Sequence, residues 1–305
     1  MSALPSELLD ASLRAATPIG LAALGELIAE RSGVLNIGIE GAMCLAALAS
    51  LMAAMWFGPL GGLAAGAITG ALVTGLFAVF VVRFRAQQVL AGTAISMLAL
   101  GLSAMAYRTL QATRLDAPHV KTLPILRIPG LADIAGIGPV FAQPLSTYLF
   151  YCAALGVAWF LYRTIGGLAV RATGEDPAAL RIVGKNPAAI QSVALLFAGM
   201  FAGLGGATLV VAQAGTFTDN MSAGRGYIAI AVVVLGRWTP GGVIIGSLLF
   251  GLAGSLQFIV QAYGVALPYN LALGAPYVLT LVGLAVFGGS RASPAGLGRP
   301  LDASS

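Results

Sequence analysis

Two polar, glycine-rich breaks interrupt a chain that is otherwise a succession of apolar runs. The first, residues 30–41, reads ERSGVLNIGIEG; the second, residues 236–242, reads GRWTPGG. Non-helical backbone among apolar runs is costly in lipid unless it is buried in protein or lines a water-filled path. Short or Gly/Pro-interrupted segments in the two halves of a membrane chain point to a translocation site. The surrounding runs decide that lipid is the solvent. Of the 305 residues 58% are hydrophobic and 9% are charged, against about 25% charged in a soluble domain. The 41 glycines suit close helix approach in a bilayer, where packing replaces the hydrophobic drive.

A spanning helix needs about 20 apolar residues. The runs that qualify are 13–29, 42–57, 62–82, 89–107, 145–163, 192–213, 242–262 and 270–288; a ninth, 225–237, suits a half-helix or re-entrant piece. The expected fold class is all-α, a polytopic transmembrane helical bundle of about eight or nine spans with discontinuous segments. A single transmembrane domain covers 1–290, with an outer loop 108–144, an inner loop 164–191 and a cytoplasmic tail 291–305. The N-terminus lacks the basic region and cleavage site of a secretory signal and is expected to be retained.

Net charge is +5, and the basic residues cluster at run ends. Arg83, Arg85, Arg163, Arg171, Arg181, Lys185, Arg237, Arg291 and Arg299 fall on one side if nine segments cross in turn. Basic residues mark the cytoplasmic side, so the N-terminus is expected outside and the C-terminus inside. The long loop 108–144 also carries Arg108, Arg114, Lys121 and Arg127, but long loops weigh less in this rule. Its prolines, Pro118, Pro124, Pro129, Pro139 and Pro144, block a long helix and imply an irregular outer cap. No dense basic cluster with aromatic interleaving suggests nucleic acid. Cys44 and Cys152 lie in apolar runs and read as small hydrophobes. With His119 the one histidine, no metal or cofactor is expected.

The inner loop contains RATGEDPAALRIVGKNPAAIQ, residues 171–191. Asp176 before Pro177 is an N-cap and N1 pair. A short helix is predicted over 177–183, ended by Gly184 in a left-handed conformation. Asn186 and Pro187 repeat the start signal. The spacing describes a short rigid helix rather than a floppy connector.

This G-E-x-P-x-A-x-x-x-G loop resembles the cytoplasmic coupling loop of ATP-binding-cassette (ABC) importer permeases. The branch is the one holding ribose-type, branched-chain-amino-acid-type and nucleoside-type members. The following AIQSVALLFAGMFAGLGGATLVV (residues 189–211) resembles that family's next helix. ERSGVLNIGIEG and GRGYIAIAVVVLGRWTPGG (residues 224–242) resemble the nucleoside and simple-sugar subgroup most closely. The resemblance covers about residues 15–290. Ribose-type members begin with an additional span; this chain starts about one span later, in keeping with an outside N-terminus.

The resemblance implies a non-enzymatic translocation subunit that moves nucleosides or related simple sugars. Its implied partners are a cytoplasmic ATPase, a second, non-identical permease and an extracytoplasmic solute-binding lipoprotein. No GxxxxGK[ST] phosphate loop occurs in the chain. Glu175, Asp176, Pro177, Arg181, Gly184 and Lys185 are the candidate coupling residues. Candidate path residues are Asn36, Glu40, Thr93, Ser96, Asn220 and Arg225. For Asn36 the alternative is helix capping. For Glu40 it is an ion pair with Arg31 or a neighbouring subunit, and for Arg225 an outer-face anchor. Branched-chain amino acids or another small polar solute remain open. So does a secondary transporter, although Glu26 is the one acidic residue well inside a candidate span.

Overall fold

The structure, a computed structural model, describes residues 4–112, 118–134, 136–262 and 293–299, with the isolated residues 274 and 278. The expected span 270–288 and most of the tail 291–305 lie outside the described residues. The helices are α1 (Leu4–Arg31), α2 (Ile39–Ala78), α3 (Gln88–Ala112), α4 (Leu145–Arg163), α5 (Ile165–Glu175), α6 (Pro177–Ile182), α7 (Pro187–Thr208), α8 (Arg225–Leu235) and α9 (Pro240–Ala262). Two short strands, β1 (Ile125–Arg127) and β2 (Ala142–Pro144), pair antiparallel in the long loop. The prolines there do exclude a long helix, but the loop is more regular than an irregular cap. Residues 118–123 also bond to α7's extension, Val120 N–H to the Gly215 carbonyl and Leu123 N–H to that of Val211.

Four helical stretches among the described residues are long and apolar enough to cross a membrane: Ile39–Arg83, Gln88–Ala112, Leu145–Arg163 and Pro187–Ala214. The first contains two of the expected runs and turns back at Gly58, whose φ of 70° and ψ of −177° leave the helical region. A Cβ at Gly62 would lie 2.9 Å from the Ser50 carbonyl oxygen. In one straight helix those residues would stand about 18 Å apart, so the link 58–61 is a tight reversal. Large apolar side chains such as Trp56 (79% exposed) and Met97 (74%) project outward from the bundle, as a lipid-facing surface requires.

α1 is the centre of the bundle. Residues 16–30 are all buried, with α4, α5, α7, α8 and α9 packed around them. A helix enclosed on every side meets protein, not lipid, which is why α1 can carry Glu26 and Glu30. Pro18 lacks the N–H that would bond the Arg14 carbonyl; the Gln213 side chain donates to that oxygen instead, at 2.8 Å. Thr17 and Thr147 hydroxyls meet at 3.0 Å, and those of Ser12 and Ser255 at 2.9 Å, tying α1 to α4 and α9.

The second arm of α2 packs antiparallel on α7 through glycines. A Cβ at Gly66 or Gly70 would come within 3 Å of the Gly203 or Gly199 carbonyl oxygen, and the converse additions would strike Gly66 and Gly70. Backbones this close gain dispersion contacts that no larger residue permits. Both stretches end in π-helical turns, Val79–Arg83 and Leu209–Ala214.

Candidate translocation site

The first break is a terminated helix whose backbone is satisfied by four side chains from three elements, α1, α3 and α7. Val34 N–H donates to the Ala29 carbonyl and Gly33 N–H to that of Glu30, with Gly33 at φ 93°. This is the Schellman pattern of a helix end, with glycine in the left-handed position. Beyond it, Leu35 N–H donates to Gln88 Oε1 of α3 at 2.8 Å, and Asn36 N–H to Glu26 Oε1 of α1 at 2.8 Å. Ser96 Oγ donates to the Ile37 carbonyl at 3.1 Å. Gln191 Nε2 of α7 donates to the Ser32 carbonyl at 3.0 Å. Non-helical backbone at membrane depth is tolerated where protein groups satisfy it in this way or where it lines a water-filled path.

The first break meets both ends of one half-helix, and the second break lies at its C-terminal end. α8 has 11 residues and is about 16 Å long, too short to cross. At its N-terminus Glu40 accepts from Ser222 Oγ (2.6 Å), Gly224 N–H (2.7 Å) and Gly226 N–H (2.7 Å). A carboxylate there meets the positive end of the helix dipole as well as free donors. At its C-terminus Trp238, in a left-handed conformation, donates Nε1–H to Glu30, while Arg31 Nε–H donates to the Trp238 carbonyl at 2.8 Å. The first break therefore grips α8 from both sides.

The candidate path residues are not equivalent in this arrangement. Asn36 is fully buried, and neither side-chain amide atom has a partner. It does not cap α2, whose N-cap is Gly38 with no side-chain cap bond. Glu40 pairs with the start of α8 and not with Arg31. Ser96 is a buried staple between α3 and the first break. Thr93 bonds the Val89 and Leu90 carbonyls of its own helix. Asn220 is exposed at φ 57° in the turn before α8. Arg225 is half-buried and donates to the Met221 and Ser222 carbonyls, bracing the same turn. Sequence reasoning missed Glu30, Arg31, Gln88, Gln191 and Trp238; the signal available was that both breaks carry polar side chains at their edges. Among the described residues no group of three or more His, Cys, Asp or Glu side chains comes together, and Cys44 and Cys152 are free thiols.

The inner loop is helical over more of its length than expected. α5 fills residues read as a connector; Thr164 caps it, its Oγ1 accepting from Gly167 N–H at 3.0 Å. α6 follows the expected start, with Asp176 Oδ1 accepting from Ala178 and Ala179 N–H at 3.0 and 3.1 Å. It ends one residue earlier than the predicted 177–183, before Gly184 at φ 73°. Asn186 Oδ1 caps α7 in the same way, at 3.0 and 3.3 Å. Leu180 anchors α6 inward, while Ile182, Val183 and Lys185 are exposed.

This loop touches the first break directly. Gly174, at the end of α5, packs so closely on the Arg31 carbonyl that a Cβ would collide with it. The tail segment joins the same seam: Gly296 N–H donates to the Gly174 carbonyl (2.8 Å), Gly298 N–H to that of Gly33 (3.1 Å), and Ala295 N–H to Glu175 Oε2 (3.3 Å).

Fold and site together define a polytopic helical membrane protein whose broken helices meet at a buried polar seam beside a capped surface helix. Residues 8–286 match the family described as "Branched-chain amino acid transport system / permease component", and the chain belongs to that family. It is 36% identical to the guanosine ABC transporter permease protein NupQ of Bacillus subtilis, over 97% of this chain and 96% of NupQ. It is 34% identical to the putative glucose ABC transporter permease protein TsgC13 of Haloferax volcanii (90% and 85% covered). With the nucleoside ABC transporter permease protein NupC of Lactococcus lactis it shares 32% identity (91% of each chain). No solved structure matches the chain.

Proposed function

We propose that this chain is the membrane-spanning subunit of an ATP-driven ABC importer that carries nucleosides or simple sugars inward. The observation that carries the reading is the seam at Gly33, Gly174 and Gly296, where the inner loop rests on the break that holds both ends of α8. A push on α6 reaches the broken helices through rigid, backbone-to-backbone contact. The relatives' names supply the solute class: guanosine, nucleoside and glucose. The family description favours branched-chain amino acids as the second reading.

In this reading the N-terminus and the β1–β2 loop face outward, and α5, α6 and the tail face the cytoplasm. A separate ATPase binds α6 through its exposed tip and the flanking Glu175, Asp176, Arg181 and Lys185. A second, non-identical permease completes the membrane path, and an extracytoplasmic lipoprotein delivers the solute. Asn36, with an unpartnered amide, is the path residue with the strongest structural claim, because a hydroxyl- or base-bearing solute supplies both a donor and an acceptor.

The test is uptake in proteoliposomes containing the permease pair, the ATPase and the receptor. ATP-dependent accumulation of guanosine or glucose is expected, with leucine excluded. Uptake that ignores ATP but collapses with a protonophore would make the chain a secondary transporter instead. Paired reversal of Glu175→Lys and Arg181→Glu is expected to leave ATP hydrolysis running while uptake stops; normal uptake in that variant removes the docking assignment.

A further inference from the structure

A groove of about 530 Å³ lies between α1, α4, α5 and α7, away from the seam just described. Its walls include Ala153, Gly156 and Phe160 of α4, Val170 of α5, and Ile190 and Phe197 of α7; every lining residue among the described residues is Gly, Ala, Val, Ile or Phe. Its volume falls in the range of about 300–1,000 Å³ typical of small-molecule sites. Among the described residues the walls offer no side-chain partner to a sugar or nucleoside, unlike the polar seam. It opens sideways, because Val193 and Phe197 line it and are also about half exposed. From Ala189 to Phe201 its α7 wall is about 18 Å long, comparable with the roughly 15 Å of hydrocarbon in one leaflet.

Two arginines adjoin lining residues at the inner-loop end of this apolar groove. Arg163 closes α4 one turn beyond Phe160, and Arg171 follows Val170, its guanidinium 5.2 Å from the centre of the Tyr162 ring. Neither arginine forms an ion pair among the described residues, and Arg171 Nε is buried without a hydrogen-bond partner. An apolar slot one leaflet deep, flanked at its inner-loop end by guanidinium groups with no ion-pair partner among the described residues, has the charge pattern of a phospholipid in reverse. Arginine forks suit phosphate oxygens.

We infer that this groove binds one acyl chain of a membrane phospholipid, with the lipid phosphate held by Arg163 and Arg171. The bound chain fills the space between α5 and α7, so it supports the inner loop from behind. This goes beyond the transport reading and is read out by lipid retention, not by uptake.

Gly156 gives a clean test, since a Cβ there meets nothing within 4 Å. The assembled transporter is washed in detergent, supplied with palmitoyl-oleoyl-phosphatidylglycerol and weighed by native mass spectrometry. The wild type is expected to keep one phosphatidylglycerol per copy of this chain. Gly156→Leu is expected to lower its occupancy at least tenfold, while Gly156→Ala and the outward-facing Leu155→Ala keep it. The double variant Arg163→Gln with Arg171→Gln is expected to lose about tenfold, and this arm decides alone if Gly156→Leu does not assemble. Wild-type retention in Gly156→Leu or in the double arginine variant overturns the site, as does a washed wild type that keeps no phospholipid. Gly156→Cys blocked from maleimide only in the assembled complex would show a partner helix in the groove, and also overturns it.

Discussion

Glu40 is the residue on which the position of α8 most depends. It accepts three short hydrogen bonds in a nearly fully buried setting. Its removal leaves the Ser222 hydroxyl and two backbone donors orphaned, each worth about 1–3 kcal/mol. Glu40→Ala is therefore expected to destabilise the solubilised protein by on the order of 3 kcal/mol, with Glu40→Gln intermediate, measured by thermal or denaturant melting. Asn36 makes the opposite case. Its side chain makes no bond that truncation can break, so Asn36→Ala is expected to change stability by less than about 1 kcal/mol while lowering uptake at least tenfold. Equal uptake by the variant would move the path elsewhere.

At the scale of elements, α6 shows how little chain is needed to make a stiff knob. Six residues do not sustain a helix alone; Asp176 satisfies its first donors, Leu180 pins it, and Gly184 ends it. Asp176→Ala is expected to cost about 1 kcal/mol locally. Deuterium exchange should report it over 177–183, accompanied by ATP hydrolysis less tightly linked to uptake. The α2–α7 contact works by absence of side chains. Gly203→Leu forces backbones apart along the whole seam and is expected to abolish a monodisperse protein in size-exclusion chromatography, whereas Gly101→Leu, in open space, is tolerated.

For the whole molecule, the described elements sort to two ends. Asp10 and the Gln143 side chain meet at one, at 2.6 Å; Arg31, Gly174, Gly296 and Trp238 gather at the other. Whichever side holds Gly174 also holds residues 295–298 of the tail. In a Cys152→Ser background, Ala179→Cys is expected to react with an impermeant maleimide only in inverted vesicles, and Ile128→Cys only in right-side-out ones. The reverse result would invert the transporter and make it a poor importer.

The apolar runs, the caps at Asp176 and Asn186 and the short length of α8 were legible in the chain because they are local: run length, Asx–Pro pairs and glycine positions act within a few residues. Local signals also placed the two breaks. They did not reveal that the first break grips both ends of α8, that Glu30 bonds Trp238 across 208 positions, or that α5 forms at all. Nor did they separate Asn36, left without a partner, from Ser96, held by two. Those outcomes depend on which buried polar groups find each other when the helices pack, and in a bilayer that choice is made by close backbone approach and polar satisfaction across the bundle.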